Sequence, residues 1–164
     1  MLEERFDETR VGVHREVPVL LGYDWDGAVE GDRRIDQVLT STFAGRGFRK
    51  AAGAENVDVY ERICGSLLRA AYLGALLAAG ANRRSRVVLT LIGGGVFGNP
   101  IPLIWKSILW AIADVDRMGC GGLDIVVNSR NLRDHLSMDE IRAEVRGRGG
   151  AVVEFERGGV AVWR

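Results

Sequence analysis

The stretch VVLTLIGGGVFGNPIPLIW, Val87 to Trp105, sets four glycines within six residues between a β-branched apolar run and an apolar segment of helical spacing. No other part of the 164-residue chain limits its folding choices as tightly. The run Arg86 to Ile92 is apolar on both faces, as in a central strand of a parallel sheet. Beyond the glycines, Asn99 is expected to cap a helix whose first position is Pro100, where the missing N–H costs nothing. Ile101, Ile104, Trp105, Ile108, Leu109 and Ile112 would form its buried stripe.

The flanking sequence extends this alternation. From Val57 to about Ala79, residues Tyr60, Ile63, Cys64, Leu67, Leu68, Ala71 and Tyr72 recur at three- and four-residue intervals, predicting a helix with Asn56 as N-cap and Gly80 as its stop. LDIVVNS, Leu123 to Ser129, reads as another core strand, and SMDEIRAEV opens with a Ser137 to Glu140 capping box before a short helix. AVVEFERGGVAVW reads as a hairpin around Gly158 and Gly159 at the sheet's edge. Towards the N-terminus, Val11 to Leu21 reads as one strand or an interrupted pair, with Pro18 pointing to an edge position, and Gln37 to Phe43 as a short β-prone run. The expected architecture is therefore α/β, one domain over 1–164, with a largely parallel mixed sheet and helices on both faces.

Bulk properties narrow the function classes. Lys+Arg and Asp+Glu both number 22, so the whole-chain field does not point to nucleic acid or an anionic membrane surface, and any anion site must be local. Cys64 and Cys120 lack metal-ligand spacing and read as buried free thiols of a reducing compartment. MLEERFDETR is acidic and polar rather than a signal segment, and no uninterrupted apolar run reaches a membrane span. A cytoplasmic protein without a membrane partner is the expectation.

The glycine corner has a definite physical use. In open α/β sheets ligands bind beyond the carboxyl ends of the strands, where Ile92 to Asn99 is expected to lie. Glycines admit close backbone approach, and the free N–H groups at the following helix start favour a diphosphate. Val96 and Phe97 carry no proton to give, but Phe97 can wall off a ribose. The corner is shaped for phosphate binding rather than acid–base chemistry, and no metal or other cofactor is called for.

The segment YERICGSLLRAAYLGALLAAGANRRSRVVLTLIGGGVFGNPIPLIWKSILWAI resembles the later half of macro domains, the ADP-ribose-binding α/β modules. In that family a helix leads into an apolar strand, a G-x-G-x-x-G loop with an aromatic before its last glycine, and a second helix. The resemblance implies that Gly93, Gly94, Gly95, Val96, Phe97, Gly98 and Asn99 wrap the diphosphate and distal ribose of ADP-ribose or an ADP-ribosylated macromolecule. QVLTSTFAGRGF resembles the strand and loop before the long helix, and Gln37 and Ser41 on it would lean towards the ligand. The match runs from Asp36 to Ser129. The family's early strand ending in paired asparagines, and the first glycine-rich loop that supplies most catalytic residues of macro-domain hydrolases, have no counterpart before it. The chain thus resembles a divergent or shortened member, in which binding carries over better than catalysis. If it is an ADP-ribosyl hydrolase, the resemblance implies water attack at the anomeric carbon of the distal ribose, with no general base named.

Two other readings use the same letters. Gly93, Gly95 and Gly98 satisfy the Rossmann G-x-G-x-x-G, and Arg130 after the next strand would meet the 2′-phosphate of NADP in an oxidoreductase. Alternatively the chain is a non-catalytic interaction module with a vestigial pocket. Asp24 and Asp26 around Trp25 can be a carboxylate pair but fit a solvated turn. His14 and His135 lack metal spacing and read as surface residues. Arg46, Arg49 and Lys50 form a basic loop tail, with Arg46 a candidate phosphate contact. Trp105 and Trp110 fit core packing.

Overall fold

The computed structural model describes residues 8–21, 27–45, 47, 56–120, 122–129, 132–156 and 159–163, with backbone alone described for 155, 156 and 159–163. The chain divides into two compact units, Met1–Asn128 and Ser129–Arg164.

The first unit is ordered β1 (Gly12–Pro18), β2 (Arg34–Leu39), α1 (Val57–Ala81), β3 (Arg86–Thr90), α2 (Ile101–Arg117) and β4 (Asp124–Asn128). Helix α1 is its centre. Tyr60, Cys64, Leu68, Tyr72 and Leu76, each four residues on from the last, are all fully buried, with small residues Ala71, Ala75 and Ala79 beside them. Asn56 occupies the N-cap position without a side-chain cap bond. The helix passes the expected stop at Gly80 by one residue, and the left-handed turn falls at Arg83 (φ +54°) instead. By length and composition α1 is apolar enough to cross a membrane. Its buried stripe and the stacking of its Arg69 over the Trp110 ring of α2, at 5.3 Å, are those of a core helix.

Helix α2 starts at Ile101, with Pro100 in the N-cap position and no side-chain cap bond, so Asn99 does not cap it. Pro102 in its first turn loses no hydrogen bond. The buried face keeps Ile101, Ile104 and Ile108 but turns towards Ser107, Ala111, Asp114 and Val115, leaving Trp105, Leu109 and Ile112 half-buried. The two polar members are satisfied: Ser107 Oγ donates to the Leu103 carbonyl at 2.8 Å, and Asp114 pairs with Arg117. Cys64 is buried and Cys120 exposed, both as free thiols, so burial holds for the first only.

The chain is a small α/β protein whose described strands form three two-stranded sheets: β1–β2 antiparallel, β3–β4 parallel, and, in the second unit, Val152–Glu156 antiparallel with Gly159–Trp163. Pro18 closes β1, which among the described strands pairs with β2 alone, in keeping with an edge proline. The ladder is irregular between His14 and Val17, where Glu16 takes φ +56°. Strand β3 is shorter than the apolar run that encodes it, and burial on both faces does not follow. Leu89 is 4% exposed, whereas Val88 is 59% exposed.

In the second unit a 3-10 turn (Leu132–Asp134) precedes α3 (Met138–Gly147) and the hairpin strands β5 (Val152–Glu156) and β6 (Gly159–Trp163). Ser137 caps α3, its Oγ accepting from the Glu140 N–H at 3.4 Å, which is the serine half of the expected capping box. Arg142 of α3 donates to Glu154 of β5 at 2.8 Å. Among the described residues β5 pairs with β6. Its Gly158 lies outside the described residues.

Candidate functional site

The carboxyl end of β3 is fixed from beneath by α1. The Tyr72 hydroxyl donates to the Thr90 carbonyl at 2.8 Å and accepts from the Ile92 N–H at 3.0 Å. Burial pushes this phenol above its ordinary range, so it remains a donor. From that anchor the chain enters a loop that closes on itself. The Gly94 N–H bonds to Leu91, that of Gly98 to Gly95, and that of Asn99 to Gly93, at 2.9–3.0 Å. Gly93 and Gly98 take φ +75° and +65°, a region side chains rarely adopt.

Asn99 locks the loop to its surroundings. Only 3% exposed, it accepts a 2.6 Å hydrogen bond from the Tyr60 hydroxyl through Oδ1. Its Nδ2 donates to the Phe43 carbonyl at 3.2 Å and to Thr42 Oγ1 at 3.5 Å. The Phe43 ring meets Tyr60 edge to face at 5.5 Å. The segment after β2, the start of α1 and the glycine loop therefore converge on one buried amide. Asn99 does not cap α2; its buried side chain ties the loop to Tyr60 and Phe43.

The four glycines separate by what a Cβ would meet. At Gly93 it would strike the Asn99 amide and Thr42, and at Gly94 it would come within 2.7 Å of Ile101 Cδ1. Gly98 needs its positive φ. At Gly95 there is no positive φ and nothing within 4 Å. Three glycines serve the fold, and the fourth faces open space.

Beside Gly95 the loop tip exposes Val96 (89%) and Phe97 (42%). Among the described residues, the N–H groups of Gly95, Val96 and Phe97 meet no acceptor. No side chain between Ile92 and Asn99 titrates, so the loop offers donors and an aromatic wall but no proton transfer. Among the described residues no group of three or more His, Cys, Asp or Glu is placed to hold a metal ion.

Of the other candidates, Ser41 is exposed just beyond β2, and its hydroxyl donates to the carbonyl of Thr42, the residue that touches Asn99. Gln37 is exposed within β2, opposite His14 in register. His14 and His135 are exposed. Arg46, Arg49, Lys50, Asp24, Asp26 and Arg130 lie outside the described residues. Sequence reasoning missed Thr42, Tyr60 and Tyr72 as site residues, because the tyrosines fall on the apolar stripe of α1. The available signal was chemical: a phenol on a fully buried stripe needs a hydrogen-bond partner.

Comparison with family models, curated proteins and solved structures finds no match to this chain.

Proposed function

We propose that this chain binds ADP-ribose, or an ADP-ribosyl group on a macromolecule, with the diphosphate seated on the Gly93–Asn99 loop. The observation that carries the reading is Gly95. A glycine that the fold does not require lies between glycines that it does, at the end of a strand, beside backbone donors that meet no acceptor among the described residues. Close approach of an anion to backbone explains why a side chain is missing there. Phe97 would border the distal ribose. In this reading the strands of the first unit belong to a macro-domain-like, largely parallel sheet, and the loop's contribution is binding and orientation.

Titration calorimetry of the chain with ADP-ribose, NADPH and AMP tests it, with Gly95→Glu as the blocked variant. Selective binding of ADP-ribose that Gly95→Glu abolishes supports the reading. Absence of ADP-ribose binding overturns it, and preference for NADPH assigns the loop to a dinucleotide cofactor instead.

A further inference from the structure

A glycine outside the loop abuts the hydrogen bond that holds it. Gly45, buried in the segment after β2, takes no positive φ, so its backbone conformation does not call for glycine. Space does. A Cβ at Gly45 would strike the Tyr60 hydroxyl and Asn99 Oδ1, with Tyr60 Cζ 2.7 Å away. Neither partner has room to yield, since Tyr60 is fully buried, Asn99 is buried, and the two are bonded to each other at 2.6 Å. Gly47, two residues on, is exposed and has nothing within 4 Å of its Cβ position.

The Asn99 amide is thus bracketed by two glycines from different segments. Gly45 borders its Oδ1 end, and Gly93 borders its Nδ2 end, where a Cβ would strike the amide and come within 2.6 Å of Thr42 Cγ2. Both contacts are possible only because neither position carries a side chain.

The bracketing reaches the loop's donors through the backbone of the same residue. The Asn99 N–H closes the loop on the Gly93 carbonyl at 2.9 Å, and the Gly98 N–H closes the tip on Gly95 at 3.0 Å. Gly95, Val96 and Phe97 lie within these closures. A push on the Asn99 side chain therefore moves the residue that carries the first closing bond, and with it the direction of the three N–H groups.

We propose that Gly45 is a positioning residue of the glycine loop: it lets the segment after β2 seat on the Tyr60–Asn99 hydrogen bond and so fixes the aim of the Gly95, Val96 and Phe97 donors. Donors held in place before an anion arrives need no ordering when it binds. As a determinant of diphosphate binding this rests on the ADP-ribose reading, whereas the positioning itself is measurable in the free chain.

The test combines amide NMR of the free chain with ADP-ribose calorimetry on Gly45→Ala, with Gly47→Ala as control, each made also on a Tyr60→Phe background. Gly45→Ala is expected to displace the amide resonances of Gly95, Val96 and Phe97, to leave those in the middle of α1 in place, and to weaken ADP-ribose at least about tenfold. Gly47→Ala does none of this. Tyr60→Phe removes the hydroxyl that the new Cβ would strike, so on that background Gly45→Ala displaces the loop less and weakens binding less. The same background carries the test if Gly45→Ala alone does not fold. Loop resonances that stay in place overturn the proposal whether or not ADP-ribose binds, and so does a Gly45→Ala effect undiminished by Tyr60→Phe. A parent chain that binds no ADP-ribose overturns the ligand reading, while displaced loop resonances in Gly45→Ala still support the positioning role.

Discussion

The side chains of Asn99 and Tyr60, 39 residues apart in sequence, share a 2.6 Å hydrogen bond inside the first unit. Both are buried, and the amide also holds the Phe43 carbonyl. Replacing Asn99 by Ala removes its hydrogen bonds to the phenol and to the carbonyl together. Removing one partner of a buried hydrogen bond costs about 1–3 kcal/mol. Asn99→Ala should therefore cost about 2–4 kcal/mol in urea unfolding, Tyr60→Phe about 1–2, and the double variant less than their sum. Additive losses would show that the bond carries no coupling.

The glycines of the loop should part company under substitution. Gly93→Ala forces a side chain into a left-handed conformation and against Asn99, and should destabilise by at least about 2 kcal/mol. Gly95→Ala meets open space at an ordinary φ and should leave stability within about 1 kcal/mol of the parent, or raise it slightly. Thermal unfolding of both variants separates them. Equal destabilisation would mean that Gly95 too is a folding residue and would remove the ground for assigning it to a ligand.

This contrast also marks how far the sequence was legible. Period-four burial in α1 and the strand–glycine–helix order could be read because they are local patterns. The division of labour among Gly93, Gly94, Gly95 and Gly98 could not. It depends on Asn99, Thr42 and Ile101 arriving from outside the loop. Asn99 read as a cap because Asn before Pro fits that role locally, and tertiary hydrogen bonds claimed its amide instead. The apolar run of β3 suggested a strand with neighbours on both sides. The composition suits that environment, whereas among the described strands β4 is the one paired with it.

Tyr72 ties the loop's start to α1 through two bonds on one hydroxyl, donated to Thr90 and accepted from Ile92. Tyr72→Phe keeps the ring and removes both. The expected loss is about 1–2 kcal/mol. Amide exchange should accelerate at Ile92 while the middle of α1 stays protected. Uniform acceleration would mean that the hydroxyl supports the unit as a whole rather than the loop's root.

Asp36 gives the first unit an acid-sensitive joint. The hydrogen bond from the Arg84 guanidinium, followed by that from the Glu16 N–H, holds its carboxyl at about 2, against an ordinary 3.8. A carboxyl whose folded pKa lies below its unfolded one stabilises the fold fully above the unfolded value, and that contribution disappears as pH falls through the folded value. The window here is therefore roughly pH 4 to 2. Asp36→Asn should lower the melting temperature by a constant amount from pH 7 down to about 5, and the gap from the parent should close as pH approaches 2. A gap that persists unchanged to pH 2 would trace the loss to shape rather than charge, and no gap at neutral pH would mean that the Arg84 tie contributes nothing to holding β2 beside β3.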